Sequence, residues 1–315
     1  MALSELQQQA SAQDDVTTWS PLRRVVFRFV FVYLILYNLP FPLDALTIWV
    51  GRHVFHQTVE ITFSGSGDTS AAWIRGFCIL VVAVFATVIW TLLDRNRTQY
   101  DRLHEGLRVY VRFVLALAMI SYGAIKVIPS QFPLPTLHRL MEPFGDASPM
   151  GLLWTFMGAS PAYSMFAGAI EMLGGLLLTA RRTTLVGALV CLGTLSNVVA
   201  LNFCYDVPVK LYSIHLFLMA AFLATSDVKR LTDFFVRGRA VTAEPLRPHF
   251  RNPRLNRAAA ILRTLLVVWY VGISLLQSHN ERLDYEKDRL HHKDASKFLL
   301  VRRGFHWVNE VPYNR

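Results

Sequence analysis

The stretch WIRGFCILVVAVFATVIWTLL, residues 73–93, decides the class of fold to which this chain belongs. Arg75 is its only charged residue. About 20 mostly apolar residues are enough to cross the hydrocarbon core of a bilayer as one helix. Because no water is available there, a helix must satisfy the backbone N–H and C=O groups. The stretch therefore predicts a transmembrane helix.

Similar apolar blocks recur along the chain and predict an all-α, polytopic transmembrane bundle of about seven spans. The predicted spans are Leu22 to Tyr37, Trp73 to Leu93, Gly106 to Ile128, Ser160 to Ala180, Thr183 to Tyr205, Asp206 to Ser226 and Leu255 to Gln277. The seventh block is weaker because Arg257 and Arg263 interrupt its first half. Whether it spans the membrane or lies along the surface is left open by its sequence.

Three regions follow from this order of blocks. Residues 1–105 hold a polar leader, two spans and an outer loop; residues 106–226 hold a four-helix core; and residues 227–315 hold a basic segment, the seventh candidate span and a polar tail. Residues 41–73 are predicted to form an ordered loop because charged and turn-forming residues interrupt them. The proline-rich residues 131–158 predict a long connection with a short interfacial helix around Leu137 to Met141.

The composition excludes two average soluble domains, since 53% of the residues are hydrophobic and 17% are charged. The net charge is +10, and the excess basic residues lie between the apolar blocks. This position favours contact with anionic lipid head groups over contact with nucleic acid. Cys78, Cys191 and Cys204 lie in apolar blocks without a CxxC pair, so we expect buried thiols and no metal or dithiol site. Lys and Arg cluster after the second, fourth and sixth blocks, which predicts a cytoplasmic N-terminus.

Glu171 is the clearest candidate for a functional residue, because it lies near the centre of the fourth block in SMFAGAIEMLGGLLL, residues 164–178. An ionisable side chain within a span normally faces the bundle interior or a cavity. Small residues recur around it at three- and four-residue spacing and would allow another helix backbone to approach. We therefore expect Glu171 to face a helix interface.

Counting 1.5 Å per residue from the outer end of each span places several polar side chains at a common depth of about 9 to 15 Å. This layer predicts a pocket in the outer half of the bundle. Its predicted catalytic residues are Glu171, His215 and Tyr122, and its predicted ligand-binding residues are Lys126, Asn197, Tyr212 and Lys210. The alternative is that Glu171 pairs with Lys126 or His215 only to neutralise buried charge, while Lys126 and Lys210 extend to the surface as anchors.

Two stretches carry a family resemblance: VRFVLALAMISYGAIKVIPSQFP, residues 111–133, and AGAIEMLGGLLLTARRTTLVGALVCLGTL, residues 167–195. With an Arg followed by Gly-x-x-Lys on one helix and an acidic residue before Gly-Gly-Leu-Leu on the next, they resemble the DoxX-like family of small four-helix membrane proteins. The motif positions here are Arg112, Gly123, Lys126, Glu171, Gly174 and Gly175. The resemblance implies a bundle in the bacterial cytoplasmic (inner) membrane, in some relatives attached to quinone-linked oxidation.

These observations lead to one functional hypothesis and two rivals. The leading hypothesis is a DoxX-like subunit that binds a quinone or similar lipid in the outer pocket and serves a redox partner protein. One rival is a non-enzymatic transporter in which Glu171, Lys126 and His215 relay a substrate or a proton. The other is an assembly factor or structural scaffold. The N-terminal spans, the outer loop and the seventh block depart from the four-helix pattern.

Overall fold

A computed structural model describes residues 18–61, 67–241 and 252–302 of the chain. These residues form helices and turns and contain no β-strand. The α-helices are α1 Pro21–Asn38, α2 Asp44–His53, α3 Ser70–Leu93, α4 Asp101–Val127, α5 Leu137–Met141, α6 Pro149–Ala159, α7 Pro161–Thr179, α8 Thr184–Cys204, α9 Lys210–Thr225, α10 Val228–Phe235 and α11 Pro253–Arg302. Short 3₁₀ turns occur at Phe144–Asp146 and Arg181–Thr183.

Five helices in the described ranges are long and apolar enough to cross a membrane: α3, α4, α7, α8 with the turn before it, and residues Pro253–Lys287 of α11. Helices α9 and α10 together make a sixth candidate, bent by 71° at the break between them. Helix α1 is not among them and carries three arginines. The chain is therefore a membrane-embedded helical protein.

The chain divides into two compact units, Met1–Val111 and Arg112–Arg315. In the first unit, α1 and α2 each pack against α3. Helix α2 lies in the segment that we expected to be a loop, so that prediction was wrong. At ten residues α2 is too short to be stable by itself. Packing stabilises it instead, because Val50 contacts Ile74 and Cys78 in a small apolar core.

In the second unit, α7 and α9 both pack against α8. Glycines let these backbones approach closely. A Cβ atom added at Gly187 of α8 would lie 2.8 Å from the backbone nitrogen of Leu178 on α7, and one at Gly174 would lie 2.9 Å from the Cys191 sulfur. The small residues of the fourth block thus make a helix interface, as their spacing predicted.

The connection between α4 and α7 is more structured than its prolines suggested. The predicted short helix at Leu137–Met141 is confirmed, but a second helix, α6, occupies Pro149–Ala159. Phe132 packs edge-on against Trp154, with ring centroids 5.0 Å apart. Together with Leu153, Met157 and Val207, Phe132 forms an apolar layer that we call the cap. The cap joins this connection to the segment between α8 and α9.

Two of the three cysteines are buried as expected, Cys78 and Cys191. Cys204 is exposed, so the prediction was wrong at that position. It is the last residue of α8, where the helix ends.

Candidate functional site

Lys126 of α4 and Glu171 of α7 form a buried ion pair in the second unit. The Lys126 Nζ donates to both carboxylate oxygens of Glu171, at 2.7 Å to Oε1 and 2.6 Å to Oε2. The two side chains are only 9% and 6% exposed. Charge-assisted bonds of this length are among the strongest in proteins. Glu171 therefore lies in a helix interface, as the sequence predicted.

Glycines on both helices allow this contact. A Cβ atom at Gly168 would lie 2.6 Å from the Lys126 Cβ and 2.7 Å from the carbonyl oxygen of Gly123. A Cβ atom at Gly175 would meet the carbonyl oxygen of Ala116 at 2.8 Å. Helices α4 and α7 thus touch backbone to backbone over about two turns. This close approach brings the lysine and the glutamate within hydrogen-bond distance.

Lys126 is buried, and the expectation that it extends to the surface was wrong. Counting residues from the sequence placed Lys126 near the outer edge, because the predicted span ends two residues later at Ile128. In the structure, Lys126 lies level with Gly168, seven residues inside the start of α7. At 1.5 Å per residue this is about 10 Å below the end of α7. The chain that follows α4 leads into the cap instead of leaving the bundle.

Aromatic rings lie beside the ion pair. The Lys126 Nζ is 6.0 Å from the ring centroid of Tyr122, and this ring is 5.9 Å from that of Tyr212 on α9. Helix α11 adds a third phenol, since the Tyr270 oxygen is 2.6 Å from the hydroxyl of Ser121. Tyr122, Tyr212 and Tyr270 thus come from three helices, and Tyr270 bonds to the residue that precedes Tyr122. Sequence reasoning missed Tyr270, although Tyr122 and Tyr212 were both identified.

His215 is buried on α9, as expected for a polar side chain within a bundle. Its Nδ1 lies 2.6 Å from the carbonyl oxygen of Leu211, one turn earlier on the same helix. A hydrogen bond to this carbonyl requires a proton on Nδ1, so the contact favours that tautomer of a neutral imidazole. The described geometry thus gives His215 a backbone partner on its own helix, α9.

Two other predicted ligand-binding residues lie away from the pair. Asn197 is exposed on α8, so the structure does not bring it into the interior. Lys210 forms an ion pair of 2.6 Å with Asp206 in the turn before α9, which fits the alternative of an anchoring role. Asn202 of α8 is the buried amide instead, and its Nδ2 has no hydrogen-bond partner among the described residues. Helix α8 is apolar on every side, so no pattern indicated which face would be buried.

Arg112, a motif position of the family resemblance, lies near the inner end of its predicted span, where contact with lipid phosphate would be expected. It is only 6% exposed, and its guanidinium donates to the Thr184 hydroxyl at 3.5 Å. The residue therefore joins α4 to α8 within the unit. Buried arginines are usually held by such internal partners.

The arrangement around Lys126 and Glu171 can bind and move a proton. An ammonium that bonds both oxygens of a carboxylate can transfer a proton to it without changing the net charge of the pair. The phenols of Tyr122 and Tyr212 can donate hydrogen bonds to a carbonyl oxygen, and their ring faces can pack against a flat apolar group. The site thus combines hydrogen-bond donors with an aromatic surface.

Comparison with known proteins gives a family but no activity. No family model matches the chain, and no solved structure matches it. The chain is 32% identical over 140 residues to a protein of Bacillus subtilis (strain 168) described as "Uncharacterized protein YwoB". That similarity spans 42% of this chain and 88% of the Bacillus protein. Since nearly the whole of that relative is matched at this identity, the chain belongs to the same family as YwoB.

Proposed function

We propose that this chain is a DoxX-like protein of the bacterial inner membrane that binds the head group of a quinone, or of a similar polar-headed lipid, beside Lys126 and Glu171. It then serves a redox partner protein. The observation that carries the proposal is the buried ion pair with Tyr122 and Tyr212 next to it. Ionisable groups held at this depth in a membrane bundle are frequently functional.

The proposal includes seven crossings with a cytoplasmic N-terminus. Helix α1 packs against α3, which is itself long enough to span. At 18 residues, α1 rises about 27 Å, close to the thickness of the hydrocarbon core. Its arginines, Arg23, Arg24 and Arg28, lie in the first two turns, where the positive-inside rule places them on the cytoplasmic side.

The residues around the pair suit a quinone head group chemically. Such a ring is flat and apolar and has two carbonyl oxygens, which match the ring faces and the hydroxyl groups of Tyr122 and Tyr212. A bound quinone would supply the redox chemistry. The protein residues would hold the ring, and Glu171 would exchange protons with the ring oxygens when the redox partner adds electrons to the ring or removes them.

Quinone binding by the purified, full-length protein tests this proposal. The protein is extracted in a mild detergent, co-purified quinone is measured by mass spectrometry, and a short-chain quinone is titrated by intrinsic fluorescence. The Tyr122→Phe, Tyr212→Phe double variant keeps both rings but removes two donors. Each lost bond should weaken binding several-fold, so we expect a loss of about tenfold or more.

Tyr163→Phe is the matched control, because Tyr163 is on α7 but its side chain is exposed. It should bind the quinone as the wild type does. If no quinone co-purifies and none binds on titration, or if the double variant binds as well as the wild type, the proposal is wrong.

One observation favours a second function, a non-enzymatic scaffold. The Lys126 ammonium already bonds both Glu171 oxygens, so the pair alone can lock α4 and α7 in register. A scaffold predicts that Glu171→Gln lowers stability and changes no binding or transport. Proton-coupled uptake into sealed vesicles that disappears with Glu171→Gln, without electron transfer, would instead favour a transporter.

A further inference from the structure

A cleft of about 160 Å³ lies in the first unit, between the start of α1 and the end of α3. Pro21, Arg24, Val25 and Arg28 line one side of it, at spacings of three and four residues that place them on a single face of α1. Thr91 and Arg95 line the other side. Three of these six residues are arginines and none is acidic.

Arg28 is a fixed cation in the wall of the cleft. It is 3% exposed. Its Nη1 donates to the Thr91 hydroxyl at 2.9 Å, and its Nη2 donates to the Asp94 carbonyl oxygen at 2.8 Å and to the Tyr100 hydroxyl at 2.6 Å. A guanidinium held by several bonds loses little further freedom when it attracts a ligand. The cleft therefore has a preorganised positive charge in its wall.

The Asp94 carboxylate lies close enough to Arg28 to offset part of its charge. The Asp94 Oδ2 accepts hydrogen bonds from the Tyr100 hydroxyl at 2.7 Å and from the Trp90 ring nitrogen at 3.3 Å. Arg24 donates to the backbone carbonyl oxygen of Arg97. A carbonyl group carries no net charge, so this bond does not neutralise Arg24. Arg95 is exposed. The three cations that line the cleft thus leave an excess of positive charge there.

The surroundings of the cleft match the boundary between acyl chains and head groups. Helix α3 is long enough to span the membrane and ends at Leu93, two residues before Arg95. Large apolar side chains near the cleft are exposed, with Leu22 at 73% and Leu93 at 81%. Apolar exposure beside a cluster of arginines is typical of a surface that contacts anionic lipid.

We propose that the cleft between α1 and α3 binds a phosphate group, and that this phosphate belongs to the head group of an anionic membrane lipid. Arg24 and Arg95 bind the phosphate oxygens, while Arg28 fixes the charge of the wall. The positive end of the α1 dipole also favours a negative charge here. The exposed leucines beside the cleft contact the acyl chains.

Lipid binding to the purified, full-length protein tests the proposal. Detergent-solubilised protein is titrated with short-chain phosphatidylglycerol, with short-chain phosphatidylcholine and with inorganic phosphate, and bound lipid is counted by native mass spectrometry. We expect saturable binding of phosphatidylglycerol, at least about tenfold tighter than phosphatidylcholine, that weakens as salt is raised. Arg24→Gln combined with Arg95→Gln should reduce this binding about tenfold or more.

Arg102→Gln is the matched control, since Arg102 is an exposed arginine at the start of α4 that does not line the cleft. Arg28 is left intact because its internal bonds support the fold. Weak phosphate binding beside strong phosphatidylglycerol binding identifies a lipid site, whereas equal binding identifies a site for soluble phosphate compounds. If the double variant binds phosphatidylglycerol as the wild type does, or if Arg102→Gln loses as much, the proposal is overturned.

Discussion

At the residue scale, the Lys126–Glu171 pair is the contact whose loss should be felt most. Glu171→Gln leaves the Lys126 ammonium buried without its counter-charge. Removing one partner of a buried pair lowers stability by about 3 to 5 kcal/mol. We expect Glu171→Gln to unfold at a clearly lower denaturant concentration than the wild type when the purified protein is titrated in mixed detergent micelles.

The double variant Lys126→Met, Glu171→Leu removes both charges together. An apolar pair of similar volume is often as stable as a buried ion pair. It should therefore recover most of the stability that Glu171→Gln loses. Equal losses in the single and double variants would mean that the ion pair does not determine the packing of α4 on α7.

The contact between Asp94 and Tyr100 predicts how the stability of the first unit depends on pH. The hydrogen bond from Tyr100 lowers the pKa of Asp94 below its usual 3.8, with smaller contributions from Trp90, Arg97 and Arg28. The ionised carboxylate therefore stabilises the fold above about pH 4, and this stabilisation is lost as the pH falls further. Thermal unfolding in detergent should show an acid limb that is flatter in Asp94→Asn.

Tyr100 titrates at the other end of the pH range. Burial raises its pKa above 10.0, and the bond to Asp94 raises it further. The folded state thus holds the phenol proton more tightly than the unfolded state does. The stabilisation from the protonated phenol is complete below pH 10 and is lost as the pH rises through the folded pKa.

Asp44→Asn is the control for Asp94→Asn, because the Asp44 side chain is 56% exposed. If it flattens the acid limb as much as Asp94→Asn, Asp94 is not the group responsible.

At the scale of helices, the glycines of α7 determine how closely α4 can approach. Gly168→Ala would add a methyl group 2.7 Å from a backbone oxygen of α4, which cannot move without shifting that helix. Overpacking of this kind lowers stability by about 1 to 3 kcal/mol. The measurement is the midpoint of unfolding in mixed micelles.

Gly193→Ala on α8 is the matched control, since an added Cβ there meets nothing within 4 Å. Alanine is also the better helix former, by about 1 kcal/mol in an exposed helix. Gly193→Ala should therefore be neutral or slightly stabilising. A similar loss in both variants would show that helix propensity, and not the α4–α7 contact, accounts for the effect.

For the whole molecule, the positive-inside rule predicts which side each connection faces. Alkaline phosphatase is active only outside the cytoplasm, and green fluorescent protein fluoresces well only inside. A fluorescent-protein fusion after Gly238 should be bright, and an alkaline phosphatase fusion after Arg315 should be active. The opposite result at Arg315 would mean that α11 lies along the membrane instead of crossing it.

The amino-acid sequence by itself determined that this chain is helical and enters the membrane, because long apolar blocks have few other stable structures. It also predicted that Glu171 faces a helix interface, since small residues repeat around it on one side of α7. Helix ends were predicted within a few residues where prolines or arginines mark them. The short helices α2 and α6 were missed, because their stability comes from packing and not from a local pattern.

Only the tertiary structure decided which polar groups meet. Counting residues along each span measures depth, but it cannot show that the chain beyond α4 leads into a cap, so Lys126 was placed near the surface. Nor can it give the direction of a side chain on a helix that is apolar all round, which is why Asn197 was chosen over Asn202. Contacts between helices depend on how their faces are rotated, and that rotation is set by packing among distant residues.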